Sequence, residues 1–227
     1  MKNFIFDFYN TLAAIRTDEH RQESWITVCE FLAERGMHAE PSRLIALYDE
    51  GWSQLLSELS KTSGYAYPEG DITKVYKYMA SALGGELSDG DAKTCAFIAR
   101  KASIIHYGLF DGTVELLKEL KSRGAKLYIL SNAQSAFTPH ELGLTGIAEM
   151  FDGILLSSDY GCRKPDPAFF NVLFKKYRLA KSQSVMIGDD TSSDGKGAND
   201  FGIKYVYAGG GAAAHSQEIL SLCGADK

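Results

Sequence analysis

Asn3-Phe4-Ile5-Phe6-Asp7-Phe8-Tyr9-Asn10-Thr11-Leu12 decides the reading of this chain. Alternating Phe and Ile predict a buried strand over Asn3–Phe8, and Asn10-Thr11 predict the turn that ends it. A carboxylate at the end of a buried strand is costly unless its charge is used there. In open α/β sheets ligands bind just beyond the carboxyl ends of the strands. Asp7 is therefore a candidate nucleophile or metal ligand; taken alone, it can equally cap a turn.

Further apolar, β-prone runs follow at Lys126–Ser131, Gly153–Ser158, Ser184–Asp189 and Lys204–Ala208. Helix-period segments lie between them. Val114–Ser122 carries Leu116, Leu117 and Leu120 on one face and stops at Gly124. Pro167–Tyr177 opens on proline and carries Phe169, Phe170, Leu173 and Phe174. Strands alternating with helices predict a parallel sheet covered on both faces. The gap after the first strand differs. Residues 14–108 read as mostly helix, with apolar faces at Trp25-Val28-Phe31-Leu32, Leu44-Ile45-Leu47-Tyr48, Val75-Tyr76-Met79-Leu83 and Cys95-Phe97-Ile98-Ala102. The expected division is an α/β core over 1–13 and 109–227, Rossmann-like, and a mobile all-helical insert over 14–108. Gly209–Ala214 reads as a flexible turn before a last helix near Ser216–Leu222.

The 227 residues suffice for such a core plus insert, and 45% hydrophobic with 23% charged residues is ordinary for a water-soluble protein. A net charge of -5 with no basic cluster argues against a nucleic-acid partner. No leader-like segment and no membrane-length apolar run is present, so a cytoplasmic location is expected. The four cysteines are scattered without zinc-ligand spacing, and the five histidines are isolated.

The strands end in chemistry. The second ends in Ser131-Asn132 and the fourth in Gly188-Asp189-Asp190, with Asp194 following. Lys164 precedes Pro165 after the third. A parallel sheet brings these ends to one edge, clustering acids, a hydroxyl and an ammonium. That set suits a phosphoryl group. Magnesium, which prefers oxygen ligands, relieves the repulsion among the carboxylates and the substrate dianion. Lys164 keeps the nucleophile ionised, and Ser131 can bind a phosphate oxygen. Asp7 can then attack phosphorus in line, giving an aspartyl-phosphate that water cleaves.

These residues resemble the motifs of the haloacid dehalogenase-like hydrolase superfamily, in the branch whose helical cap follows the first strand. Asp7-Phe8-Tyr9-Asn10-Thr11-Leu12 is similar to its nucleophile motif, Leu130-Ser131-Asn132 to the second, and Arg163-Lys164-Pro165-Asp166-Pro167 to the lysine motif. Gly188-Asp189-Asp190 with Asp194 and Gly197-Ala198 is similar to the acidic motif. Each motif alone is weak; together, in order, they are specific. The resemblance implies catalysis by Asp7, Ser131 and Lys164. It implies magnesium on Asp7, the Tyr9 carbonyl and Asp189, with Asp194 orienting a metal-bound water or capping the following helix. Thr11 and Asn132 are candidates for substrate contact, Thr11 also shaping the turn with Asn10. Arg16 can reach a substrate carboxylate or make a surface ion pair. Gly64-Tyr65-Ala66-Tyr67-Pro68 either selects substrate or packs between helices.

One position departs from the pattern. Most phosphatases of the family carry an acid/base Asp where this chain has Tyr9, and a phenol of pKa about 10 is poorly matched to that task. Tyrosine there resembles the dehalogenase branch, in which Asp7 would displace halide from carbon without metal. That branch lacks the paired acids kept here as Asp189 and Asp194. Without a cation those acids beside Asp7 repel by a few kcal/mol, on the order expected at intermediate dielectric. The metal argument ranks hydrolysis of a small phosphomonoester ahead of 2-haloacid dehalogenation, and both ahead of a catalytically weak ligand-binding or scaffold role. Substrate identity and oligomeric state are not written in the sequence.

Overall fold

The computed structural model describes residues 1–223. Its centre is a five-stranded sheet in the order β5-β4-β1-β6-β7. The strands are β1 (Asn3–Phe6), β4 (Lys126–Ser131), β5 (Gly153–Leu156), β6 (Ser184–Gly188) and β7 (Lys204–Tyr207). All pairings within it are parallel, and β1 lies between β4 and β6 with Phe6 level with Ile129 and Ile187. Both faces are covered, as buried parallel strands require. Phe4 and Phe6 point to one face, against Leu116, Leu117 and Leu120 of α5 (Thr113–Ser122) and Ile219 of α9 (Ser216–Ser221). Ile5 points to the other, against Phe169, Phe170 and Leu173 of α7 (Pro167–Tyr177) and Phe201 of α8 (Lys196–Phe201). Each such buried side chain contributes about 1.5–3 kcal/mol.

Several strands stop short of the sequence expectation. β1 ends at Phe6 because the chain then tightens: Leu12 and Ala13 N–H both donate to Phe8 O, and Asn10 takes a φ of 58°. β5 ends at Leu156, where Ser157 opens a single helical turn.

Between β1 and α5 the chain forms α1 (Ile26–Ala33), α2 (Pro41–Thr62), α3 (Ile72–Ala82) and α4 (Asp89–Ser103). Side chains cap two of their starts: Asp71 accepts from Thr73 N–H, and Ser88 from Asp91 N–H. They share an apolar cluster built on Trp25, Leu44, Leu47, Val75, Tyr76, Met79 and Cys95, joined by Phe137 from the sheet side. Trp52 packs edge-on against Tyr48. The buried face of α4 runs through Ala92, Cys95, Ala96 and Ala99, rather than the predicted Phe97 and Ile98, which are half-buried.

The reading of residues 14–108 as mostly helix needs correction at both ends. Ala13–Thr17 (β2) and Ile104–Leu109 (β3) form an antiparallel two-stranded ribbon. Neither strand has a fully buried face, so no clean alternation marks them. The Gly209–Ala214 turn is also seated: Ala212 is fully buried and its N–H donates to Thr11 O at 2.7 Å. Among the described residues no helix is long and apolar enough to cross a membrane.

Candidate active site

β1, β4 and β6 all end at one rim, and a cleft of roughly 210 Å³ opens there, lined by Asp7, Tyr9, Ser131, Lys164, Asp189 and Asp194 among others. Asp7 continues the ladder by one bond, its N–H donating to Ile187 O at 2.9 Å. Its Oδ1 lies 2.7 Å from Lys164 Nζ. Lys164 is fully enclosed and lies 2.6 Å from Asp194 Oδ1 on its other side. Burial lowers the pKa of this lysine; Asp194 and Asp7 outweigh it and hold the ammonium above its ordinary value. Burial pushes Asp194 up to about 6, with Lys164 opposing and the charge of Asp7 adding to the rise. Asp189 is raised too, by burial first and by Asp7, against a hydrogen bond from Thr11.

Asp7, Asp189 and Asp194 bring one carboxylate oxygen each within 4.8 Å of one another. Three carboxylates face one ammonium, so negative charge is in surplus. Lys164 pairs with Asp7 and Asp194, and Asp189 has no ion pair among the described residues. A divalent cation among the three carboxylates would offset that surplus. The donors are all hard oxygens, the set magnesium takes. The residues present fit that ion.

Other residues hold this set in place. Thr11 is fully buried; its hydroxyl donates to Asp189 Oδ1 at 3.0 Å and accepts from Asp189 N–H at 3.1 Å. It does not line the cleft, and its position serves Asp189 rather than a substrate. Asn132 lines the cleft and brackets the Lys164 backbone, donating to Lys164 O at 3.0 Å and accepting from its N–H at 2.8 Å. Ser131 faces the cleft, buried, with no side-chain hydrogen bond to any described residue. Asp190 turns back to accept from Ser192 and Ser193. Asp194 does not cap α8; its Oδ2 accepts from Asp190 N–H at 3.2 Å. Arg16 lies exposed on β2 opposite His106, away from the cleft lining, and makes no ion pair among the described residues.

Tyr9 contributes to the cleft, but its hydroxyl is committed elsewhere. It donates to Glu141 Oε2 at 2.5 Å and lies 2.9 Å from Thr138 Oγ1, both on α6 (Thr138–Thr145). Burial, then the Glu141 charge, push the phenol far above its ordinary pKa. Glu141 in turn accepts from Arg100 of α4 at 2.7 Å. Sequence reasoning missed Glu141, Thr138 and Arg100. Thr138-Pro139-His140-Glu141 has the spacing of a capping box, which would read as a helix start. Phe137 occupies the N-cap position instead, and both side chains turn to Tyr9.

The Tyr65–Tyr67 loop does not pack between helices. Both tyrosines are exposed, and the loop is stitched to the segment bearing Lys164. Arg163 N–H donates to Tyr67 O at 3.0 Å, Glu69 N–H to Gly161 O at 2.9 Å, and Tyr67 N–H to Asp166 Oδ2 at 3.1 Å.

The site thus sets an acid cluster and a buried lysine at the rim of a parallel α/β sheet. The family model described as "Hydrolase: haloacid dehalogenase-like hydrolase" matches residues 1–202, and the chain belongs to that family. It is 31% identical over 113 residues to the phosphoglycolate phosphatase of Vibrio vulnificus, covering 48% of this chain and 50% of that protein. It is 29% identical over 112 residues to the phosphoserine phosphatase of Thermus thermophilus, covering 49% of this chain and 45% of that one. The chain thus spans about half the length of the curated relatives it matches. Its fold is similar to the solved 2-haloacid dehalogenase of Pseudomonas syringae, with a TM-score of 0.63 at 22% identity over 91% of this chain and 86% of that one.

Proposed function

We propose that this chain is a magnesium-dependent phosphatase acting on a small phosphorylated metabolite through an aspartyl-phosphate on Asp7. The observation that carries this reading is the Asp7–Lys164–Asp194 arrangement with Asp189 beside it, an acid surplus built of hard oxygen donors. Asp7, Asp189, Asp194 and the Tyr9 carbonyl are the groups that would hold the ion. Bound there, magnesium would offset the carboxylate charge and draw electron density from the phosphoryl oxygens. The partial matches to phosphatases support the same chemistry.

The chain's own residues supply the rest. Asp7 attacks phosphorus as the bond from phosphorus to the leaving oxygen breaks. Lys164 offsets the charge on Asp7 and on the transferred group, and Ser131 offers a free hydroxyl to one phosphoryl oxygen. Water then attacks phosphorus, releasing inorganic phosphate and Asp7. The Tyr9 hydroxyl already donates to Glu141, so it is not free to protonate the leaving oxygen. Leaving groups stable as anions are therefore the better substrates, their proton coming from solvent.

The helices over 14–108 build an apolar cluster largely from their own side chains, joined by Ala136 and Phe137, which supports the division into a core over 1–13 and 109–227 and an inserted unit. A cytoplasmic location and a small-molecule substrate belong to the same proposal. The engaged tyrosine favours a second reading, 2-haloacid dehalogenation, in which a proton donor is not needed. A panel of phosphomonoesters with and without magnesium, run beside 2-chloropropionate in excess EDTA, separates the two. Phosphate release that needs magnesium supports the first; metal-independent halide release replaces it with the second. An Asp7→Asn variant equal to wild type in every assay would leave a binding role instead.

A further inference from the structure

Glu141 is an acid enclosed between two parts of the molecule, its side chain 4% exposed. From the insert, Arg100 donates through Nε to Oε1 at 2.7 Å and through Nη2 to Oε2 at 3.3 Å. From the loop after β1, the Tyr9 hydroxyl donates to Oε2 at 2.5 Å. From β3, the Tyr107 hydroxyl donates to the Glu141 backbone oxygen at 2.6 Å. The Arg100 guanidinium also lies over the rings of Tyr9 and Phe137, 5.3 and 4.8 Å from their centroids. Its remaining nitrogen is 3.6 Å from Glu19 Oε1. Glu141 thus joins the helical insert to the segment that carries Asp7 through its carboxylate, and holds the ribbon through its backbone oxygen.

A buried charge keeps its place only while its partners do. Tyr9 stands two residues after Asp7, and the intervening Phe8 is fully buried, so the link between them is short and anchored in the core. Tyr9 also bridges to Ala13 at the start of β2. The contacts that hold the phenol therefore sit next to the backbone that lines the cleft.

We propose that Arg100 and Glu141 are positioning residues, a clamp that fixes Tyr9 and the Asp7 loop while the insert is seated on the sheet. The proposal rests on the reading of Asp7 as the nucleophile. A misplacement of about 1 Å can cost on the order of a hundredfold in rate. The clamp therefore acts on kcat and leaves substrate binding nearly unchanged.

The test is a pair of single variants, Arg100→Met and Glu141→Gln, the conservative Arg100→Lys, and the double variant Arg100→Met/Glu141→Leu. The singles should lower kcat by about 10- to 100-fold with KM within about threefold. Arg100→Lys should recover part of the loss, because lysine keeps the charge but not the fork. The double variant removes both charges, so it should regain the folding stability that a stranded partner loses. Its kcat should stay low, and amide exchange over residues 8–12 should be faster than in wild type. Recovery of kcat together with stability in the double variant would reduce the pair to a structural one and overturn the proposal. So would unchanged exchange over residues 8–12. A wild type without turnover on any phosphomonoester would instead overturn the phosphatase reading, and the exchange comparison would still decide the clamp.

Discussion

Gly188 lays its bare α-carbon against the Asp194 carboxylate: a Cβ there would stand 2.1 Å from Oδ2 and 2.3 Å from Cγ. No side chain but hydrogen fits. Gly188→Ala should push Asp194 away from Lys164 and leave a buried ammonium short of a partner. Breaking a buried pair this way costs about 3–5 kcal/mol. Urea unfolding should register that loss and turnover should fall at least tenfold. A variant with wild-type stability and rate would mean that the contact is not what seats Asp194.

Magnesium should stabilise the folded chain because the acid cluster exists only when folded. At a hundred times its dissociation constant the gain is about 2.7 kcal/mol, which for a chain of this size is roughly 5–10 °C in melting temperature. Asp189→Asn should remove most of that shift while leaving the metal-free melting temperature near wild type. Equal shifts in both proteins would place the ion elsewhere.

Much of this was legible because strand ends announce themselves. Phe4, Ile5 and Phe6 alternate across the sheet as their types predict, and the acids after β1 and β6 follow directly. The β2–β3 ribbon was not legible: Ala13-Ala14-Ile15-Arg16-Thr17 finds its partner some ninety residues later, and its half-exposed pattern resembles a loop. Thr11 was legible as a turn residue but not as the group that holds Asp189, since that bond spans 178 positions. Glu141 was hidden for another reason. Buried polar pairs have no period, and nothing in an eight-residue helix marks that its single acid faces inward.

Tyr9→Asp tests the missing proton donor and meets a cost that the sequence does not reveal. The phenol satisfies Glu141 Oε2, and removing it leaves a buried acceptor short of one donor, at about 1–3 kcal/mol. The new carboxylate also faces the charge of Glu141. Stability and absolute kcat should both fall. The ratio of kcat/KM for an alkyl phosphate to that for p-nitrophenyl phosphate should nonetheless rise about tenfold or more, because only the poor leaving group gains from an acid. An unchanged ratio would show that leaving-group protonation does not limit this enzyme.

Glu69 offers a pH test away from the catalytic rim. It sits in the loop between α2 and α3, where its carboxylate accepts from Ser157 Oγ at 2.8 Å, Gln134 Nε2 at 3.2 Å and Gly70 N–H at 3.1 Å. Burial raises its pKa, and these bonds with the charge of Arg163 offset the rise only in part. An acid whose folded pKa is raised binds more protons folded than unfolded. Stability from this group is therefore greatest at low pH and declines as pH climbs from about 4.5 through the raised folded value. Glu69→Gln keeps an acceptor and carries no charge at any pH. Its urea midpoint relative to wild type should thus improve as pH rises from about 4.5 and level off above the raised folded value, whatever the offset between the two at the acid end. Parallel curves across that range would mean that the acid ionises as freely in the folded chain as in the unfolded one.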